Sequence, residues 1–134
     1  MVEVVIGTYG EDCPPLAAAL RQDPSSELGT PESWRQSLVA EARDTIAGVA
    51  QVEGDKVSDL WVAAACRGLG VGSALLAACE ERIRSAGHTE ARLNVVSTNA
   101  RARAFYLARG WVEVGRRPSP RWPLPPYVDL VKVV

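Results

Sequence analysis

The 134-residue chain contains one histidine, one methionine and one phenylalanine. A single histidine, His88, gives little basis for a histidine-based metal site or a Ser-His triad. It follows Gly87 and reads as a surface residue just past a helix end. Cysteine is also scarce. Cys13, Cys66 and Cys79 are odd in number and lack metal-type spacing, so they read as free thiols in a reducing compartment. No metal is expected. Neither sign of charge is in excess: 15 basic against 16 acidic residues leave a net charge of −1. That removes the electrostatic case for nucleic acid or an anionic membrane as partner. No apolar run approaches the length of a membrane span. The N-terminal "MVEVVIGTYGEDCPP" has no basic n-region, so no signal peptide is expected and a cytoplasmic location is.

What is present suits one soluble domain over residues 1–134, with 47% hydrophobic and 23% charged residues. "VEVVIGTYG" reads as a first strand and "PPLAAALRQD" as a short helix burying Leu16, Ala19 and Leu20. Three strand signals follow in "SLVAEAR", "TIAGVAQVEG" and "KVSDLWVAA", the last two joined by the tight turn "EGDK". Val71, Ala74, Leu75, Ala78, Cys79 and Ile83 keep helical spacing, with Gly87 as the stop. "EARLNVVS" is a strand. "TNARARAFYLARG" is a helix capped by Thr98 or Asn99, expected to face inward with Ala104, Leu107 and Ala108. "WVEVGRR" and "YVDLVKVV" complete the set around the proline-rich "PSPRWPLPP". The expected class is α/β (α+β): a mixed, mostly antiparallel sheet of six to seven strands with helices on both faces. A β-α-β unit over Gly68 to Val95 should make its two strands parallel.

The most informative stretch is "AACRGLGVGSALL", where Gly68, Gly70 and Gly72 stand between a strand and a helix. A helix start leaves backbone N–H groups unpaired, and the helix dipole adds partial positive charge there. Glycines let a ligand lie against that backbone, so the stretch reads as a phosphate or pyrophosphate site. The spacing G-x-G-x-G departs from the G-x-G-x-x-G of dinucleotide folds, and no acidic residue ends the next strand. A Walker loop would need Gly-Lys-Ser/Thr, whereas Gly72 is followed by Ser73 and Ala74.

"RGLGVG" has the form Arg/Gln-x-x-Gly-x-Gly/Ala, and "NARARAFYLARGW" follows about thirty residues on. The first resembles motif A, and the second motif B, of the GNAT superfamily of N-acetyltransferases. The resemblance covers Val57 to Trp111 and implies the GNAT-like acyl-CoA fold with acetyl-CoA as cosubstrate. It implies that the backbone of Leu69, Gly70, Val71, Gly72 and Ser73 holds the pyrophosphate, that Gly68 also binds the cofactor, and that Arg67 contacts a phosphate or the pantetheine side, a solvated arginine being the alternative. It implies that the pantetheine arm pairs with the strand at Leu60, Trp61 and Val62, as an added strand would. Asn99 would bind the cofactor arm or cap its helix, or both. Arg101 and Arg103 lie where a ribose phosphate could hang, although a solvated helix face accounts for at least one of them. Tyr106 would protonate the departing CoA thiolate.

The base that relieves the incoming ammonium of its proton is less legible. Many relatives carry glutamate on the strand before motif A, where this chain has Ser58 and Lys56. Ser58 with a water chain is one reading; Glu41, Glu53 and Asn94 are others, and Asp59 should face the opposite side of the strand. By the same resemblance, the acceptor pocket forms from Glu11 to Trp34 and from Pro118 to Tyr127, where Trp122 and Tyr127 could floor an apolar or cationic site. The acceptor is a small-molecule amine or a peptide N-terminus, and the chain is a monomer or homodimer. The leading expectation is an acetyl-CoA-dependent N-acetyltransferase using direct attack. The alternative is a non-catalytic acyl-CoA sensor of the same fold.

Overall fold

The computed structural model describes residues 5–8, 37–42, 45–119 and 125–134. The described strands are β1 (Val5–Thr8), β2 (Leu38–Ala42), β3 (Thr45–Glu53), β4 (Lys56–Val62), β5 (Glu90–Val96), β6 (Val112–Arg117) and β7 (Tyr127–Val133). The described helices are α1 (Val71–Ser85) and α2 (Ala100–Leu107). All seven strands join one sheet in the order β1-β2-β3-β4-β5-β7-β6. Every neighbouring pair is antiparallel except β4 with β5, which is the expected parallel pair. The mixed, mostly antiparallel sheet therefore forms as read from the sequence. The helix expected from "PPLAAALRQD", and Cys13, lie outside the described residues.

α1 forms because its apolar residues recur on one face. Val71, Leu75, Leu76, Cys79 and Ile83 are all buried, which is the stripe that a helix lays on a sheet. Its end is fixed locally. Gly87 has φ 97° and donates to Arg84 O, while His88 N–H donates to Ile83 O, which together make a Schellman closure. Arg82 and Arg84 lie in the last turn, where the dipole favours cations.

Gly48 on β3 lets this helix approach. A Cβ there would stand 2.7 Å from Trp61 O, 2.8 Å from Leu75 Cδ1 and 3.0 Å from Val71 Cγ1. Backbone on one side and packed core on the other leave nothing free to move. Gly48→Ala is therefore expected to cost about 1–3 kcal/mol by overpacking. Chemical denaturation should read it as a lower midpoint at unchanged slope.

α2 departs from the sequence reading. Ala104, Leu107 and Ala108 are exposed, with Leu107 at 48%. The inward side carries Tyr106, which is buried, and Ala102 and Phe105, which pack on the core. The helix has only eight residues and is apolar on several sides, so periodicity did not fix its phase. Aromatic bulk decides it instead. Tyr106 stacks edge-on with Trp111 (ring centroids 6.0 Å) and with Phe105 (5.2 Å).

Candidate active site

β4 and β5 share a single ladder position, Lys56 opposite Arg92. The Arg92 N–H bond to Asp55 O, at 2.9 Å, closes that end. Beyond it the strands part. β4 remains paired to β3 along its length, and among the described residues no strand pairs with the other edge of Leu60–Val62. The sheet is split in the middle, and the split opens toward the start of α1.

The chain reaches that helix through a short 3-10 turn, Ala64–Cys66, pinned to β3 by Ala63 N–H to Ala47 O at 2.8 Å. Gly70 is the N-cap, with φ 82° and no side-chain cap. The first helical hydrogen bond is Ala74 N–H to Gly70 O, at 3.0 Å. The N–H groups of Val71, Gly72 and Ser73 precede it and have no carbonyl within the helix to reach. A Cβ on Gly68 or Gly70 would meet nothing within 4 Å, so this backbone faces open space.

A groove of about 720 Å³ runs from the split to this helix start. Most of the expected site residues line it: Leu60, Trp61, Val62, Arg67, Gly68, Gly70, Val71, Gly72, Ser73, Asn99 and Tyr106. Asn99 caps α2, its Oδ1 accepting from Ala102 N–H at 3.1 Å, which leaves its amide N–H₂ for a ligand. Tyr106 is 8% exposed, and its hydroxyl has no hydrogen-bond partner among the described residues. Burial, and secondarily Cys79, push its pKa up to about 12, so the phenol keeps its proton.

Three expected residues stand elsewhere. Leu69 packs on the core and does not line the groove. Arg103 does not line the groove, because Glu113 and a carbonyl claim its guanidinium. It pairs with Glu113 at 2.8 and 3.0 Å and donates to Ser97 O at 2.9 Å. Ser58 is likewise corrected. The β3–β4 register shifts between Gln51 and Val52, which makes Ser58 the extra residue of a bulge. Its hydroxyl donates to Gln51 O at 3.3 Å instead of lining the groove. Arg101 does line it, as do Cys66, Ala102, Phe105 and Arg109. Nothing local in the sequence marks a helix-end arginine such as Arg109 as turning toward another helix. Of the expected acceptor pocket, residues 11–34 and Trp122 lie outside the described residues, and Tyr127 is half-buried on β7. No described helix is long and apolar enough to cross a membrane.

An opening of this kind suits a long, amide-bearing ligand with an anionic head. The acetyltransferase (GNAT) domain model matches residues 17–122, and the chain belongs to that family. It is an acetyltransferase with acetyl-CoA as cosubstrate. No curated protein matches the sequence. Among solved structures, Ard1 from Thermoplasma volcanium is 20% identical with a TM-score of 0.82, and the alignment covers 98% of this chain and 97% of that one. Naa50 of Arabidopsis thaliana, in complex with the bisubstrate analogue CoA-Ac-MVNAL, is 18% identical with a TM-score of 0.75, covering 98% and 99%. Nourseothricin acetyltransferase is 27% identical with a TM-score of 0.65, covering 73% of this chain and 64% of that one.

Proposed function

We propose that the split between β4 and β5 is the acetyl-CoA groove of an N-acetyltransferase whose acceptor is a primary amine. The observation that carries this reading is the single ladder position joining two parallel strands that open onto an uncapped helix start. The free edge of Leu60–Val62 hydrogen-bonds the pantetheine amides. The N–H groups of Val71, Gly72 and Ser73 hold the pyrophosphate, with Arg67 at the mouth and Asn99 on the facing helix. Bound there, acetyl-CoA supplies an activated thioester. The amine nitrogen attacks its carbonyl carbon, a C–N bond forms and the C–S bond breaks. Tyr106 gives its proton to the departing thiolate and regains one from solvent. Among the described residues the groove lining holds no carboxylate and no imidazole. The acceptor attacks as the neutral amine, and the proton that its nitrogen sheds as the amide forms passes to water.

Two acceptor classes are in play. The Arabidopsis relative carries a peptide-linked CoA analogue, and another is named for the small molecule nourseothricin. Release of CoA thiol, followed across peptides with free N-termini and across small amines, tests the reading. Amine-dependent release is the expected result. Acetyl-CoA binding with no release across the whole panel would contradict it.

The cysteines report on the same groove. Cys79 is buried and its pKa is pushed up to about 12 by that burial, whereas Cys66 is half-buried and lines the groove. At pH 8 such a pKa leaves about one part in 10⁴ of Cys79 as thiolate. Iodoacetamide is expected to label Cys66 and spare Cys79, and saturating CoA to slow labelling at Cys66. Peptide mapping reads both; labelling of Cys66 that ignores CoA would count against the assignment of the groove.

A further inference from the structure

Arg109 is the cation of this groove that neither the glycine loop nor the cap of α2 accounts for. It follows α2 and reaches back to the start of α1. Its Nε and one terminal nitrogen both donate to Ser73 Oγ, at 2.8 and 2.6 Å. The other terminal nitrogen donates to Phe105 O at 2.9 Å, and the guanidinium lies 3.8 Å from the Phe105 ring centroid. Its own carbonyl accepts from Lys132 Nζ at 2.8 Å, and Lys132 is paired with Glu80. No carboxylate pairs with the Arg109 guanidinium among the described residues.

Two features of this arrangement point outward to an anion. A helix N-terminus is where the dipole disfavours a cation, yet a part-buried guanidinium is fixed there by packing and by three hydrogen bonds. A serine hydroxyl offers two lone pairs and one proton. Both lone pairs of Ser73 Oγ are engaged by Arg109, so its O–H is left to donate.

We propose that Arg109 is a positioning residue of the phosphate subsite. It turns the Ser73 hydroxyl into a donor aimed at the ligand's phosphate and holds a fixed positive charge beside it. This rests on the groove being the CoA site. The geometry commits three of the five Arg109 donors to protein, leaving one on each terminal nitrogen for the anion. Lysine keeps the charge but lacks the paired donors that orient Ser73.

The test measures CoA and pantetheine binding by calorimetry to wild type, Arg109→Ala, Arg109→Lys, Ser73→Ala and the Arg109/Ser73 double variant. Pantetheine lacks the phosphates, so it reports on the rest of the groove. Loss of charge-assisted bonds should lower the ratio of CoA to pantetheine affinity by about 10- to 100-fold in Arg109→Ala, with Arg109→Lys recovering part of it. Ser73→Ala should lose less, and the double variant no more than Arg109→Ala, because the two act together. The salt dependence of CoA binding should flatten when Arg109 is lost. An unchanged ratio in Arg109→Ala, or strictly additive losses, would overturn the proposal. Should Arg109→Ala fail to fold, an unchanged ratio in Ser73→Ala would overturn it as well. Wild type that binds no CoA would overturn the groove assignment itself, a distinct outcome.

Discussion

Tyr106→Phe is expected to lower kcat by about 10²- to 10⁴-fold, the range for loss of a general acid, with acetyl-CoA affinity unchanged. The substitution removes one oxygen. That hydroxyl has no hydrogen-bond partner among the described residues, so the fold loses no hydrogen bond. The ring keeps its edge-on contacts with Phe105 and Trp111. What is lost is the proton that would meet the thiolate. The raised pKa, about 12, has a kinetic consequence. Wild-type turnover should show no falling limb from Tyr106 as pH rises to about 10, where an ordinary phenol would begin to ionise. It also has a stability consequence. A group whose folded pKa lies above its unfolded value contributes stability below the unfolded pKa and loses it as pH rises toward the folded one. Wild type should therefore lose stability between about pH 10 and 12, and Tyr106→Phe should remove the part due to this residue. A variant that turns over like wild type would show that the phenol only packs.

Gly70→Ala is expected to weaken CoA binding by about 100-fold, the loss of one or more hydrogen bonds to a charged group. In the free protein the new Cβ meets nothing within 4 Å, so no clash contributes. The φ of 82° lies in the left-handed region, which costs an L-residue roughly 1–2 kcal/mol. Stability should fall by that amount. Affinity should fall further, because the Cβ projects into the space where the phosphates are proposed to lie. Gly72→Ala is the control. Its Cβ would meet Phe105 at an ordinary 3.4 Å, inside the helix rather than at its cap. That variant should hold its stability, since alanine favours a helix over glycine by about 1 kcal/mol, and should keep most of its CoA affinity. Equal losses of stability and affinity in Gly70→Ala would reduce the loop to a tight turn.

Much of this was legible in the sequence because it is local. The stripe from Val71 to Ile83 and the stop at Gly87 are written in consecutive residues, and so is the glycine loop. The features that escaped are non-local. The parting of β4 from β5 depends on a register that no single strand encodes. The resemblance implies Ser58 as a site residue, and a bulge opposite Gln51 turns its hydroxyl to the Gln51 carbonyl. Arg103 and Arg109 are both arginines near α2, alike in sequence. Glu113, ten residues away across the turn to β6, claims the first, and Ser73, on the other helix, claims the second. Alanine-rich α2 has little phase of its own, so Ala104, Leu107 and Ala108 gave a misleading face.

Acetyl-CoA is proposed to lie in the split of the sheet, with the helix start beyond it. Backbone amide chemical shifts recorded by nuclear magnetic resonance during a CoA titration test it most directly. The largest shifts are expected at Val71, Gly72 and Ser73, with a second set along Leu60–Val62 and little change at β6. Saturable binding that leaves those amides unmoved and shifts another part of the chain would contradict it.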